Sequence, residues 1–264
     1  MLNFCSLYSG SSGNSLFVET ENTRILVDAG MSCKKIEEAL ASIEVEPSSI
    51  NAILVTHEHS DHVKGIATIS KKFNLPVFAT KETFDAMPLQ TEKLSEKNIN
   101  FFSPSEKFYI NDLEILPFSI PHDAANPCGF NIIKDNTHQI SIATDIGHIT
   151  KNILNNLEGS EFILLESNYD TEVLKCCSYP YILKSRIASD TGHLSNTVAG
   201  KTISYLSKNG NLHTAILGHL SKESNFPELA YQTVADELIS NSSGNNSIKL
   251  SVASRDCPGK LITL

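Results

Sequence analysis

The stretch His57-Glu58-His59-Ser60-Asp61-His62 crowds three imidazoles and two carboxylates into six consecutive positions. Neutral imidazole and carboxylate are ligands that Zn²⁺ accepts at about 2.0–2.2 Å, and both also suit Mn²⁺. Ligands at i, i+2, i+4 and i+5 let one loop turn His57, His59, Asp61 and His62 toward two neighbouring cations. A solvated polar loop readily accommodates one or two histidines, but it accounts poorly for three.

Such a loop needs rigid support on either side. Ala52-Ile53-Leu54-Val55-Thr56 reads as a buried strand before it, and Val63, Ile66, Ile69 and Phe73 recur at helical spacing after it. The cluster therefore occupies a strand-to-helix loop, a common place for active sites. Upstream, Phe4–Leu7, Ser15–Glu19 and Arg24–Asp28 read as strands, with a Gly/Ser-rich turn from Ser9 to Asn14, and Lys34–Ile43 reads as a helix. Downstream, strands are expected at Pro76–Ala79, near Asn100 and Phe108, and at Leu113–Ile120, Ile140–Thr144, Phe162–Glu166, Thr214–Gly218 and Ile248–Ser254. Helices are expected near Thr83 and at Val198–Leu206 and Pro227–Ile239, with an Asn/Ser/Gly loop from Asn241 to Ser247. Strands dominate both halves while helices intervene in each. That pattern suits two sheets packed face to face with helices outside, an α/β four-layer αββα sandwich. No repeat, long linker or charge block divides residues 1–264, which read as a single domain.

The chain carries 21 Lys and Arg against 30 Asp and Glu, a net charge of −9. A broad basic surface is excluded, which weighs against purely electrostatic nucleic-acid binding, although bound cations supply positive charge outside that count. The N-terminus lacks a basic start followed by an apolar run, and no stretch is long and apolar enough to span a membrane. Six cysteines show neither a CxxC pair nor a dense disulfide rhythm. Reduced thiols and a cytoplasmic location are expected.

His-x-His-x-Asp-His behind a strand resembles the metallo-β-lactamase fold of binuclear metallohydrolases. By that resemblance Asp28, in Leu26-Val27-Asp28-Ala29-Gly30, supports the metal loop without binding metal. His122 matches the isolated histidine ligand, Asp145 the bridging aspartate and His219 the last histidine. Carried over, His57, His59 and His122 hold one ion, Asp61, His62 and His219 hold the other, and Asp145 bridges; Asp61 is also counted with the catalytic groups. The expected cofactors are two divalent ions, Zn²⁺ first and Mn²⁺ as the alternative.

Ser9–Ser15, Glu166–Asp170, Tyr179-Pro180, Leu183-Lys184, Arg186-Ile187 and Gly192–Asn196 are together similar to the YycJ/WalJ family, a bacterial branch regarded as DNA exonucleases. The match runs through nearly the whole chain. One departure is His148, where the family pattern has a tyrosine; it reads as an ordinary surface histidine or one that supports a neighbour. Phosphodiesterases of the RNase Z branch pair a non-ligand histidine with a strand-end glutamate. Glu166 and His193 stand in that order here, which implies a general acid, His193, oriented by Glu166.

Ser11, Ser12 and Asn14 are candidates for a phosphate nest, though a plain tight turn fits them equally well, and Ser195 beside His193 is a further candidate for substrate binding. Lys184 and Arg186 read as phosphate contacts or simply as an exposed basic pair. The implied function is metal-dependent hydrolysis of phosphodiesters, with DNA ends as substrate. Only 23 positions separate His122 from Asp145, too few for the long arm of a tRNA-processing relative. The alternatives are a lactone or thioester hydrolase, which needs no His193, and a non-catalytic metal-binding interaction module, which usually has lost ligands.

Overall fold

The computed structural model describes residues 1–241 and 248–264. In one seven-stranded sheet β1 (Asn3–Tyr8), β2 (Ser15–Glu19), β3 (Arg24–Val27), β4 (Ala52–Leu54), β5 (Val77–Ala79) and β6 (Ile99–Phe101) lie in chain order. The second holds β7 (Phe108–Ile110), β8 (Leu113–Ser119), β9 (Cys128–Lys134), β10 (His138–Ala143), β11 (Phe162–Glu166), β12 (Thr214–Gly218) and β13 (Lys249–Val252). The chain then returns to the first sheet, where β14 (Ile262–Thr263) pairs with β1.

Alternation along the strands dictates the stacking. In β3, Ile25 and Val27 face the opposite sheet and Leu26 faces outward; in β11, Phe162 and Leu164 point inward and Ile163 and Leu165 outward. Strands that are apolar on both faces must be covered on both. Between the sheets, Phe4 and Phe162 meet with ring centroids 4.7 Å apart.

Outside the first sheet lie α1 (Cys33–Ser42), α2 (Ser60–Val63), α3 (Ile66–Phe73), α4 (Lys81–Ala86) and α5 (Pro88–Thr91), with Ile36, Leu40, Ile66, Ile69 and Phe84 closing the core there. Along the second run α6 (Lys151–Leu157), α9 (Asn196–Asn209) and α10 (Pro227–Asn241), while α7 (Thr171–Cys176) and α8 (Tyr181–Ile187) lie in the connection between β11 and α9. Ile153, Ile203 and Val234 fill that interface. The expected four-layer αββα sandwich is present.

Three local differences stand out. The helical periodicity from Val63 to Phe73 is broken between α2 and α3 at Gly65, whose N–H donates to Ala29 O at 2.7 Å. A Cβ there would lie 2.2 Å from Met31 O, so only glycine admits this approach. Strand β9 goes unmarked in the sequence because Gly129 and Asn131 interrupt its apolar run; Asn131 is buried with its amide satisfied by Asn156 O and Ser141 Oγ. Helices α6 to α8 are short and carry no strong period. The expected Asn241–Ser247 loop lies, beyond Asn241, outside the described residues.

All six cysteines are free. Among the described residues no helix is long and apolar enough to cross a membrane.

Candidate metal centre

The site is built where parallel strands end side by side. In the first sheet Val27 pairs with Leu54, so Asp28 and Thr56 emerge together. In the second, Ala143 pairs with Leu165 and Glu166 with Gly218, which brings Asp145, Glu166 and His219 to one rim. Ligand sites at the carboxyl ends of such strands are a general property of open α/β sheets. Asp28, Asp145 and His219 take left-handed backbone angles (φ 63°, 60° and 55°). Non-glycine residues held there cost on the order of 1–3 kcal/mol each, and here the bend aims each side chain across the rim.

The segment after β3 grips the metal loop. Ala29 N–H donates to His62 O (2.8 Å), and Asn14 N–H donates to Asp61 O (2.8 Å). A Cβ on Gly30 would fall 1.6 Å from Asp61 O, so this contact requires glycine. Asp28 is buried; Thr56 N–H and Oγ1–H donate to its two oxygens (2.9 and 2.8 Å), and its Oδ2 lies 2.7 Å from His62 Nδ1. That leaves His62 Nε2 facing the centre.

Four sets of ligand-type atoms converge, each within 4.8 Å: His57, His59 and His122; Asp61, His62 and His219; His57, His62 and Asp145; and Asp145, Glu166, His193 and His219. His122 Nε2 is 3.3 Å from His59 Nδ1, while Asp61 Oδ2 is 3.6 Å from both His62 Nε2 and His219 Nε2. Asp145 stands between the two triplets, 3.3 Å from His62 Nε2, 3.4 Å from His219 Nδ1 and 3.8 Å from His122 Nε2. All seven residues expected as ligands therefore lie in two adjacent triplets with Asp145 between them.

Electrostatics divide the site. Burial and the surrounding imidazoles hold His57 well below the ordinary histidine value, and burial lowers His122 as well. Burial opposes a charge on His62 too, but Asp145 and Asp28 outweigh it and raise the imidazole to about 9. His219 is raised against its burial by Asp145, Asp61 and Glu166, and Asp61 is lowered against its burial by His219 and His62. His57 Nε2, His219 Nε2 and Asp145 Oδ2 are buried without hydrogen-bond partners. One such atom costs about 1–3 kcal/mol; three aimed at one centre fit a pair of divalent cations that take up their lone pairs.

Glu166 is fully buried and accepts from Ile146 N–H (2.8 Å) and Leu194 N–H (3.0 Å) through Oε2. Its Oε1 lies 2.8 Å from His193 Nδ1 and also 2.8 Å from His219 Nδ1. Both imidazoles hold the carboxyl well below its ordinary value despite burial. Glu166 thus contacts His219 as well as His193, the partner expected for it.

Asn14 Oδ1 accepts from Gly10 N–H (2.9 Å), and Nδ2 reaches Gly10 O (3.2 Å) and His62 Nε2 (3.1 Å), so its side chain braces the turn against the metal loop. Ser195 Oγ caps α9 by accepting from Val198 N–H, at 3.3 Å. Ser11 and Ser12 are exposed on the Gly/Ser turn. Lys184 donates to Lys175 O and Arg186 pairs with Asp123, so both basic groups are engaged within the protein. His148 Nδ1 lies 2.8 Å from Asp190 O and braces the loop that leads to His193. Two contacts of residues in the quoted motifs were not foreseen: Glu58 Oε1 accepts from Ala125 N–H (2.8 Å), and the Gly192 carbonyl lies 3.1 Å from His122 Nδ1. Neither contact leaves a sequence signal.

Residues 23–219 match the β-lactamase superfamily domain, and the chain belongs to that superfamily, in its metallo-β-lactamase fold. It is 39% identical over 237 residues to the exodeoxyribonuclease WalJ of Streptococcus pneumoniae serotype 2 (strain D39), covering 88% of this chain and 86% of that one. It is 35% identical over 237 residues to the exodeoxyribonuclease YycJ of Bacillus anthracis, covering 90% and 89%. Among solved structures, the metallo-β-lactamase fold protein YhfI of Bacillus subtilis superposes with a TM-score of 0.71 at 14% identity, covering 98% of this chain and 100% of that one.

Proposed function

We propose that this protein is a binuclear metal-dependent phosphodiesterase that removes nucleotides from DNA ends, working in the cytoplasm, where six unpaired thiols persist. The observation that carries this reading is the similarity to two exodeoxyribonucleases over nearly the full chain. His57, His59 and His122 would hold one cation, Asp61, His62 and His219 the second, and Asp145 both. Zn²⁺ is the first candidate by ligand type and Mn²⁺ the second. Two such cations supply charge against the scissile phosphate and acidify water.

The protein's own side chains account for the rest. Asp28 and Glu166 fix the ring orientations of His62 and His219 through their Nδ1 atoms. His193, with Nδ1 against Glu166 and its side chain 14% exposed, keeps Nε2 for the leaving oxygen. A phosphodiester expels an alkoxide that needs a proton, and a positioned donor contributes about 10²–10⁴ in rate. A lactone or thioester hydrolase has no need of that group.

The test is metal analysis followed by an assay of end-labelled single-stranded and duplex DNA and RNA in parallel. More than one transition metal per chain and release of nucleotides from DNA ends are expected. Lactone or thioester turnover without nuclease activity in Zn²⁺ or Mn²⁺ would overturn the reading.

A further inference from the structure

The chain has three arginines. Arg24 pairs with Glu19 at 3.0 Å, and Arg186 with Asp123 at 2.5 and 3.0 Å. Arg255 pairs with no carboxylate among the described residues. Its Nη2 donates to Leu220 O (2.9 Å), and its Nε is buried without a partner. In a protein with 30 acidic residues, an anchored guanidinium left without a counterion is poised for an anion from outside.

Its position says which anion. Leu220 follows His219 and bridges to Gly10 in the Gly/Ser turn. The turn is fastened to the metal centre at both ends: His219 N–H donates to Ser9 Oγ (2.8 Å) and Asn14 N–H donates to Asp61 O (2.8 Å). Arg255 lies along this turn so closely that a Cβ on Gly10 would sit 3.1 Å from its Nε. Arg255 thus packs on Gly10 and on Leu220, the residue that follows the candidate ligand His219, and Ser11 and Ser12 are exposed on the same turn as Gly10. A planar guanidinium matches two phosphate oxygens at once.

We propose that Arg255, with Ser11 and Ser12, binds a backbone phosphate of the nucleic-acid strand adjacent to the phosphate being cleaved. This rests on the phosphodiesterase reading and adds a binding residue that the metal chemistry does not require. The test compares wild type, Arg255→Gln and Arg255→Lys in two measurements. The first is equilibrium binding of a single-stranded oligonucleotide with phosphorothioate linkages across a salt series. The second is steady-state cleavage of the unmodified oligonucleotide.

Losing one phosphate contact should make the slope of log K against log salt shallower by about 0.7 in Arg255→Gln. KM should rise about tenfold, the scale of a charge-assisted hydrogen bond, and the loss should fall on KM rather than kcat. Arg255→Lys keeps the charge but not the fork, so its slope should match wild type while KM rises. A merely structural role would lower melting temperature without moving the salt slope. Wild-type slope and KM in Arg255→Gln would overturn the proposal. If that variant does not fold, an unchanged KM in Arg255→Lys does the same. A wild-type protein that neither binds nor cuts DNA would remove the functional reading itself, a separate outcome.

Discussion

Glu166 Oε1 lies 2.8 Å from both His193 Nδ1 and His219 Nδ1, so one carboxylate contacts both the proposed proton donor and a candidate metal ligand. Two substitutions separate these duties. His193→Ala removes none of the seven residues proposed as ligands and should keep metal content and fold while DNA turnover falls about 10²–10⁴-fold. A nitrophenyl phosphodiester, whose leaving group needs no proton, should lose far less; equal losses on both substrates would remove the general-acid role. Glu166→Gln should lower metal affinity about 10–100-fold, as is typical when a partner of a ligating imidazole is lost, in addition to slowing cleavage. Asp28→Asn should weaken metal binding similarly through His62. Competition with a chromophoric chelator measures both, and wild-type affinity in Glu166→Gln would limit that residue to His193. The imidazoles of the metal loop were legible in the sequence because three within six positions, directly after a buried strand, suit little besides cation binding. The double duty of Glu166 was not, since it depends on the register that sets Glu166 opposite Gly218 and so beside His219.

At the scale of elements, two turns tie the sheets together away from the metal centre. Asp112, between β7 and β8, accepts from Thr20 Oγ1 (2.8 Å) and Thr23 Oγ1 in the turn between β2 and β3, with Lys134 Nζ at 3.6 Å. Burial pushes this carboxyl up, but the two hydroxyls win and hold it below its ordinary value of 3.8. A depressed folded value contributes stability that is present above the ordinary value and lost as pH falls through the folded one. Asp112→Ala should therefore cost about 1–3 kcal/mol at neutral pH, and the gap between variant and wild type should narrow below about pH 4 in denaturant titrations. A gap that does not change with pH would mean that the charge is not what the hydroxyls stabilise. Strands such as β3 and β11 were legible because Ile25 to Val27 and Phe162 to Leu165 are apolar throughout and so suit burial on both faces. Strand β9 and the break at Gly65 were not, because each depends on a distant partner: Ser141 and Asn156 for Asn131, and the Ala29–Met31 backbone for Gly65.

At the scale of the molecule, the candidate ligands come from both layers of strands. His57, His59, Asp61 and His62 follow β4 in the first sheet, whereas His122, Asp145 and His219 follow β8, β10 and β12 in the second. Cations held by both groups would link one sheet to the other along the rim and would therefore bind only when the sheets are stacked. Ligand binding to the folded state alone stabilises by about 4 kcal/mol at a thousandfold excess over Kd, and each kcal/mol shifts Tm by about 2–4 °C for a chain of this size. Metal-loaded protein should melt about 10 °C above protein stripped with a chelator, and resupply of metal should restore the difference. Asp145→Ala, which removes the group between the two triplets, should shrink that difference. A core change such as Ile142→Val should lower loaded and stripped forms alike by about 0.5–1.5 kcal/mol and leave the difference intact. Differential scanning calorimetry of the three proteins, each loaded and stripped, makes the comparison. Coincident melting of loaded and stripped wild type would show that the cations do not join the sheets.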